Sequence, residues 1–233
     1  MAAVIETEGL NCRFRGVHAV RDLTLSVPEG STYAFLGTNG AGKTTTIKAL
    51  LNLVEPAAGR AALFGVPSAK LGPEELAKIG YVSENQKLPE GLTVKELAAY
   101  GKALYPTWDD AFCAELVARL GLPLDRKLKG FSRGMKMKAA LLLDEPFAGL
   151  DPLVREEFIE ALRDLSKGEG WTVFLSSHDM DEVERLADWI GVIDSGRLVA
   201  SESRADLLAR HPGMGLREIF VATTRKLRQG GSV

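Results

Sequence analysis

The stretch Gly37-Thr38-Asn39-Gly40-Ala41-Gly42-Lys43-Thr44-Thr45 decides how the rest of this chain is read. Before it, Ser31 to Leu36 is an apolar run of strand length. After it, Gly42 to Val54 carries Ile47, Leu50, Leu51 and Val54 at helical spacing. Strand, glycine-rich loop and helix therefore follow in that order. The pattern G-x-x-x-x-G-K-[ST] falls on Gly37, Gly42, Lys43 and Thr44. Glycines let the backbone curl until successive N–H groups converge on phosphate oxygens. The positive end of the following helix faces the same anion. At this spacing Lys43 can reach the β- and γ-phosphates, and the Thr44 hydroxyl can bind Mg2+. A glycine-rich stretch can also be a simple turn, but a turn does not require this flanking order.

The chain has 233 residues, of which 45% are hydrophobic, enough for one large domain with a sizeable core. Its 29 Lys and Arg nearly balance 31 Asp and Glu, which argues against a nucleic-acid protein held by bulk charge. Cys12 and Cys113 fit no metal or redox spacing, and two cysteines in this length form no disulfide framework. A reducing, cytoplasmic compartment is expected. The segment MAAVIETEGL lacks the basic and apolar regions of a signal peptide. No apolar run approaches the ~18 residues that cross a bilayer, so any membrane span belongs to another chain.

Around the loop the sequence alternates between strand and helix signals. Ala3–Glu6, Leu10–Phe14 and Val20–Val27 read as short strands, with Pro28-Glu29-Gly30 as a turn. Arg60–Phe64 reads as a strand, Glu74–Lys78 as a helix and Ile79–Val82 as a strand. From about Leu92 the pattern becomes helical. Thr93-Val94-Lys95-Glu96 is a capping box. Thr107 is expected to cap a helix whose apolar face is Trp108, Phe112, Leu116 and Leu120, ending at Gly121. Residues ~88–140 thus read as a helical insertion in an α/β core. Beyond it, ALLLDEP reads as a buried strand ending in Asp144 and Glu145. Asp151-Pro152 starts a helix, and Thr172–Ser176 is a strand leading to His178. Asp179 and Glu182 suggest another capping box. Trp189–Asp194 and Arg197–Ser201 flank Ser195-Gly196 as a hairpin, and helices are expected near 203–210 and 216–226. Arg225 to Val233 reads as a polar, frayed end.

With these pieces in order, the chain resembles the ATP-binding cassette (ABC) ATPases over nearly its whole length. The loop matches, with Thr38 where Pro is usual. Phe131-Ser132-Arg133-Gly134-Met135 matches the signature LSGGQ at Ser132 and Gly134. LLLDE, AGLD (Ala148 to Asp151) and SSHD follow in sequence. The resemblance implies one ABC ATPase domain over residues 1–233, with a P-loop NTPase core and a mainly parallel sheet. It adds an N-terminal antiparallel β subdomain and an inserted helical subdomain at about 88–140. It implies ATP and Mg2+ bound by Gly37, Thr38, Asn39, Gly40, Ala41, Gly42, Lys43, Thr44 and Thr45. Thr44, Asp144 and Glu84 are the expected metal ligands, Glu145 the general base and His178 the switch histidine. Phe14 lies where the family stacks an aromatic on adenine; a core Phe is the equal alternative. Ser132 and Gly134 are expected to contact the γ-phosphate bound by a second ABC ATPase subunit. The remaining partners are transmembrane permease subunits, with no nucleic acid, placing the chain at the inner face of a cell membrane. YPTWD and SRGMKMK look most like bacterial exporter members.

Two departures stand out. The family's Q-loop reads G-Y-x-x-Q, whereas GYVSENQ puts Glu84 there and Gln86 two residues on. Glu84 offers Mg2+ an oxygen but no amide donor. Ser132 and Asp144 are only 12 positions apart, where the family has roughly ten residues more, for a signature helix of about four turns, a loop and a returning strand. That shortening leaves open an ATP-binding regulator without turnover. A soluble ABC ATPase acting on nucleic acid or the ribosome is the other alternative, although its usual tandem cassettes or coiled-coil insertion are missing.

Overall fold

The computed structural model describes residues 2–14, 16–79, 88–104, 108–132, 135, 136, 139, 170–177 and 180–230. They fall into two compact units, Met1–Glu75 with Leu165–Val233, and Leu76–Asp164.

Among the described residues the first unit holds two four-stranded sheets. One is antiparallel, in the order β2-β1-β4-β5, from β1 (Ala3–Phe14), β2 (Val17–Pro28), β4 (Ala58–Leu63) and β5 (Val66–Pro67). Ala3–Glu6 and Leu10–Phe14 are not separate strands: β1 runs through both, with register shifts against β2 between Thr7 and Leu10 absorbing the interruption. The other sheet has the order β6-β3-β7-β8, from β3 (Thr32–Leu36), β6 (Val173–Ser177), β7 (Trp189–Asp194) and β8 (Arg197–Ser203). Here β3 is parallel to both neighbours and buried at every residue, as a central strand covered on both faces must be. Phe174 of β6 packs against Tyr33 and Phe35, with ring centroids 5.5 and 5.4 Å apart. β8 is antiparallel to β7. The connecting Ser195 (φ 50) and Gly196 (φ 83) are both left-handed, the I′ geometry that matches strand twist.

Helix α1 covers Lys43–Leu50 and stops short of the expected Val54. Asn52 takes φ 56, its N–H bonds the Ala49 carbonyl, and Leu53 N–H bonds Lys48. This is a Schellman ending, with Asn in the left-handed position. The fully buried face of α1 is Thr46, Ala49 and Leu50, with Ile47, Leu51 and Val54 half-buried.

The second unit contains α3 (Val94–Leu104) and α4 (Asp110–Arg119); α2 (Pro73–Leu76) straddles the division between units. The capping box is present. Thr93 N–H donates to Glu96 Oε2 at 2.8 Å, and Glu96 N–H to Thr93 Oγ1 at 3.2 Å. The cap of α4 is Asp109, not Thr107, which lies outside the described residues. Asp109 Oδ1 accepts from the N–H groups of Ala111 and Phe112, and a carboxylate also suits the positive end of a helix. Of the expected face, Leu116 and Leu120 are buried and Trp108 and Phe112 half-buried. Gly121 N–H bonds Ala118 and Leu122 N–H bonds Val117, a second Schellman ending.

In the first unit the chain continues through α5 (Met180–Leu186), α6 (Arg204–Arg210) and α7 (Leu216–Gly230). Arg225 to Gly230 is thus helical, not frayed. The expected strand Ile79–Val82 lies beyond Ile79 outside the described residues. So do ALLLDEP, the Asp151-Pro152 helix start, and Asp179. Among the described residues no helix is long and apolar enough to cross a membrane.

Candidate functional site

The loop from Gly37 to Thr45 joins the C-terminal end of β3 to the start of α1. That is where ligands bind in open parallel sheets. Its ends are buried and its tip is open: Gly37, Ala41 and Gly42 are buried, and Thr38, Asn39 and Gly40 are exposed. Gly42 has φ 111, and a Cβ on it would stand 2.5 Å from the Ala19 carbonyl oxygen. A Cβ on Gly37 would stand 2.6 Å from the Ile193 carbonyl oxygen. Both glycines are therefore dictated by close backbone approach. Gly42 is also the N-cap of α1 and supplies no side-chain cap. The first turn of a helix has N–H groups without partners in the helix, so α1 begins with donors facing outward.

Lys43 is folded back over the loop. Its Nζ donates to the Gly37 carbonyl at 2.6 Å and the Thr38 carbonyl at 3.2 Å. A cation is thus stationed where an anion on the loop would lie. The Thr44 side chain is exposed and Thr45 half-buried. Thr46, buried, donates Oγ1–H to the Gly42 carbonyl at 3.0 Å. A brace on the loop, itself held by β2, has no motif of its own. Gly196, in the β7–β8 turn, donates its N–H to the Ala41 carbonyl at 2.9 Å, and Arg21 N–H donates to the Gly196 carbonyl at 2.8 Å. Ser195-Gly196 is legible in sequence as a turn, but nothing local says what the turn rests on.

Phe14 ends β1 opposite Val17 and is 42% exposed, so it is not a core residue. Its ring is open to a flat ligand. Ser132, in the second unit, sits at a helix start: its Oγ accepts from Met135 N–H at 3.2 Å and its carbonyl from Lys136 N–H at 2.9 Å. Beside it, Phe131 is buried under the Arg126 guanidinium, 5.8 Å from the ring centroid. Glu84, Gln86, Gly134, Asp144, Glu145 and His178 lie outside the described residues. Burial raises the pKa of the Cys12 thiol, and burial together with Asp110 that of Cys113. Both thiols stay protonated and unreactive at neutral pH.

The profile of the family described as ABC transporter matches residues 20–148. A profile described as AAA domain, putative AbiEii toxin, Type IV TA system, matches the shorter stretch 116–184. The chain is 34% identical over 212 residues to the bacitracin transport ATP-binding protein BcrA of Bacillus licheniformis, covering 85% of this chain and 69% of that protein. It is 37% identical to the daunorubicin/doxorubicin resistance ATP-binding protein DrrA of Streptomyces peucetius, covering 87% of this chain and 66% of that one. A solved structure titled as the ATP-binding subunit of an ABC transporter superposes with a TM-score of 0.82 at 29% identity, covering 95% of this chain and 99% of the other. A dimeric ATP-binding cassette in a post-hydrolysis state, bound to ADP and Pi, superposes with a TM-score of 0.72 at 20% identity, covering 85% and 98%; at that identity it speaks for the fold. The profile spans more than half of the chain and the relatives most of it: the chain belongs to the ABC transporter family, as an ATP-binding cassette ATPase.

Proposed function

We propose that this chain is the ATP-binding and ATP-hydrolysing subunit of a bacterial exporter, working as one of two cassettes against separate membrane subunits. The observation that carries it is the loop itself: a helix start without a side-chain cap, with Lys43 held across Gly37 and Thr38. Gly37 to Thr45 cradle the phosphates, Lys43 moves from loop carbonyls to phosphate oxygens, and Phe14 stacks on adenine. Thr44 presents an exposed hydroxyl on the first turn of α1. With Asp144 and Glu84 it supplies the hard oxygen donors that suit Mg2+, which offsets phosphate charge when bound. Glu145 takes the proton of the attacking water, and His178 bridges it to the γ-phosphate. Ser132, at a helix start, completes together with Gly134 the site of a second subunit.

We take residues 1–233 as one ABC ATPase domain with a helical subdomain at about 88–140. Its place is the cytoplasmic face of the membrane, and nucleic acid is not a partner. Export is taken from the relatives, which are named for bacitracin transport, daunorubicin/doxorubicin resistance and Nod factor export. The deciding experiment is ATP turnover by the purified chain with and without Glu145→Gln. Turnover lost in the variant is the expected result, and equal turnover would remove Glu145 from the mechanism.

One observation favours a second reading, an ATP-binding regulator with little turnover. Ser132 and Asp144 are 12 positions apart, too few for a four-turn helix, a loop and a strand. The alignment with the bacitracin protein is 212 residues long yet spans 85% of this 233-residue chain, about 198 residues. That relative therefore carries about 14 aligned positions that this chain lacks. The same turnover measurement separates the two readings.

A further inference from the structure

Strands β1, β2 and β8 bring four basic side chains together beside the phosphate loop. Arg13 of β1 is directly opposite His18 of β2 in the strand register. Arg13, Arg21 of β2 and Arg197 of β8 all act electrostatically on the His18 ring. Among the described residues none of the three arginines is paired with a carboxylate. Arg21 Nε donates to the His18 carbonyl at 3.2 Å.

The hydrogen-bond frame of the ring pulls the other way. His18 Nε2 lies 2.9 Å from Asn11 Oδ1. Asn11 Nδ2 donates to the Gly9 carbonyl at 2.8 Å, and Oδ1 also accepts the N–H of Asp22 at 3.2 Å. The oxygen facing the ring is thus an acceptor, and Nε2 carries a proton. A backbone hydrogen bond at Val20 also favours the charged ring. Partial burial, and then the guanidiniums of Arg13, Arg21 and Arg197, oppose that charge and hold the pKa below the usual histidine value. The ring is poised: its hydrogen bonds suit an imidazolium and its neighbours resist one.

The cluster is tied by main chain to the last turn of the phosphate loop. Ala19, next to His18, places its carbonyl against Gly42. Gly196, next to Arg197, donates to Ala41, and Arg21 N–H donates to Gly196. Neighbouring residues are ~3.8 Å apart, and charges interact over a Debye length of ~8–10 Å. A polyphosphate on the loop therefore offsets the field of the arginines at the ring.

We propose that phosphate binding at the loop draws a proton from solvent onto His18, so that nucleotide binding is linked to proton uptake. This rests on reading Gly37 to Thr45 as the nucleotide site. The only bond formed is N–H on the imidazole, and the proton comes from the buffer. By linkage, affinity rises as pH falls through the window between the ring's pKa in the free and bound forms, and is level above it.

The test is calorimetric titration of the full chain with Mg-ADP at about pH 6.5, near the ordinary histidine pKa, in buffers of different ionisation enthalpy. The expected result is an uptake on the order of half a proton per nucleotide, absent from His18→Gln, which still binds. Ring titration by NMR supplies a second readout. The chain has 3 histidines, and His18 should titrate at higher pH when Mg-ADP is bound. Equal proton counts in parent and His18→Gln, or a ring whose titration does not move, would overturn the proposal. If the unaltered chain binds no nucleotide, the reading of the loop falls, and this inference falls with it.

Discussion

Gly40 and Gly42 are two residues apart, both at positive φ (81 and 111), and should respond differently to a methyl group. A Cβ on Gly40 meets nothing within 4 Å, whereas on Gly42 it meets a backbone oxygen at 2.5 Å. Gly40→Ala therefore carries backbone strain alone, about 1–2 kcal/mol. Gly42→Ala carries that strain plus a displacement of β2 or α1, and should lose more than about 2 kcal/mol. Denaturant melts of the two variants, compared with parent, check the order; equal losses would mean that β2 yields freely. Lys43→Ala should weaken a fluorescent ATP analogue at least about tenfold, since it removes a charge-assisted contact. Parent-like binding would remove Lys43 from the site. At this scale the sequence was most informative where spacing alone defines the chemistry, as in Gly37, Gly42 and Lys43. Thr46 and Gly196 were not legible as site residues. Each acts through backbone carbonyls of the loop, and backbone acceptors leave no residue pattern.

Elements were legible where a local rule fixes an end. The α3 capping box and the Ser195-Gly196 hairpin are such cases. Asp109 displaces Thr107 as the cap of α4 because the side-chain oxygen must stand two to three residues before the donors it serves, and Asp109 does so for Ala111 and Phe112. Asp109→Ala should cost about 1 kcal/mol, and Thr107→Ala much less; thermal melts of both check it. The capping box also carries a pH signature. Hydrogen bonds from the Thr93 N–H and then the Thr93 hydroxyl lower the Glu96 pKa. Because the folded pKa is depressed, this stabilisation is present above the ordinary carboxylate pKa of about 4.3 and fades as pH falls through the lower folded value. The difference in melting temperature between parent and Glu96→Gln should therefore be clear at neutral pH and vanish under acid. A constant difference would assign it to packing.

For the molecule as a whole, strand order was the least legible property. Apolar runs mark β3 and β6 as strands and a turn signal marks β7 and β8 as a hairpin, but the order β6-β3-β7-β8 depends on pairings between distant segments. If the chain works as one of a pair, its specific ATPase activity should rise with protein concentration at low micromolar levels. Constant specific activity in a protein shown to be monomeric would count against pairing. Inserting about ten residues of amphipathic helix and loop after Ala140 should raise both melting temperature and turnover. A missing helix face forfeits core burial, and one large side chain alone is worth about 2–5 kcal/mol. A parent that melts as high and turns over as fast as the lengthened chain would dispose of the regulator reading.

The position of β3 between β6 and β7 has a consequence in time. The strand that leads into the phosphate loop ends at Leu36, but its two partners begin at Val173 and Trp189, and the brace at Gly196 comes later still. A ribosome adds about 5–20 residues per second. For on the order of ten seconds or more, the nascent chain therefore carries its phosphate-loop sequence without either partner strand of β3. Ribosome-bound chains released before Val173 should fail to bind ATP, and those released beyond Ser203 should succeed. During that interval the growing polypeptide carries the residues of the loop but not the strands that aim them.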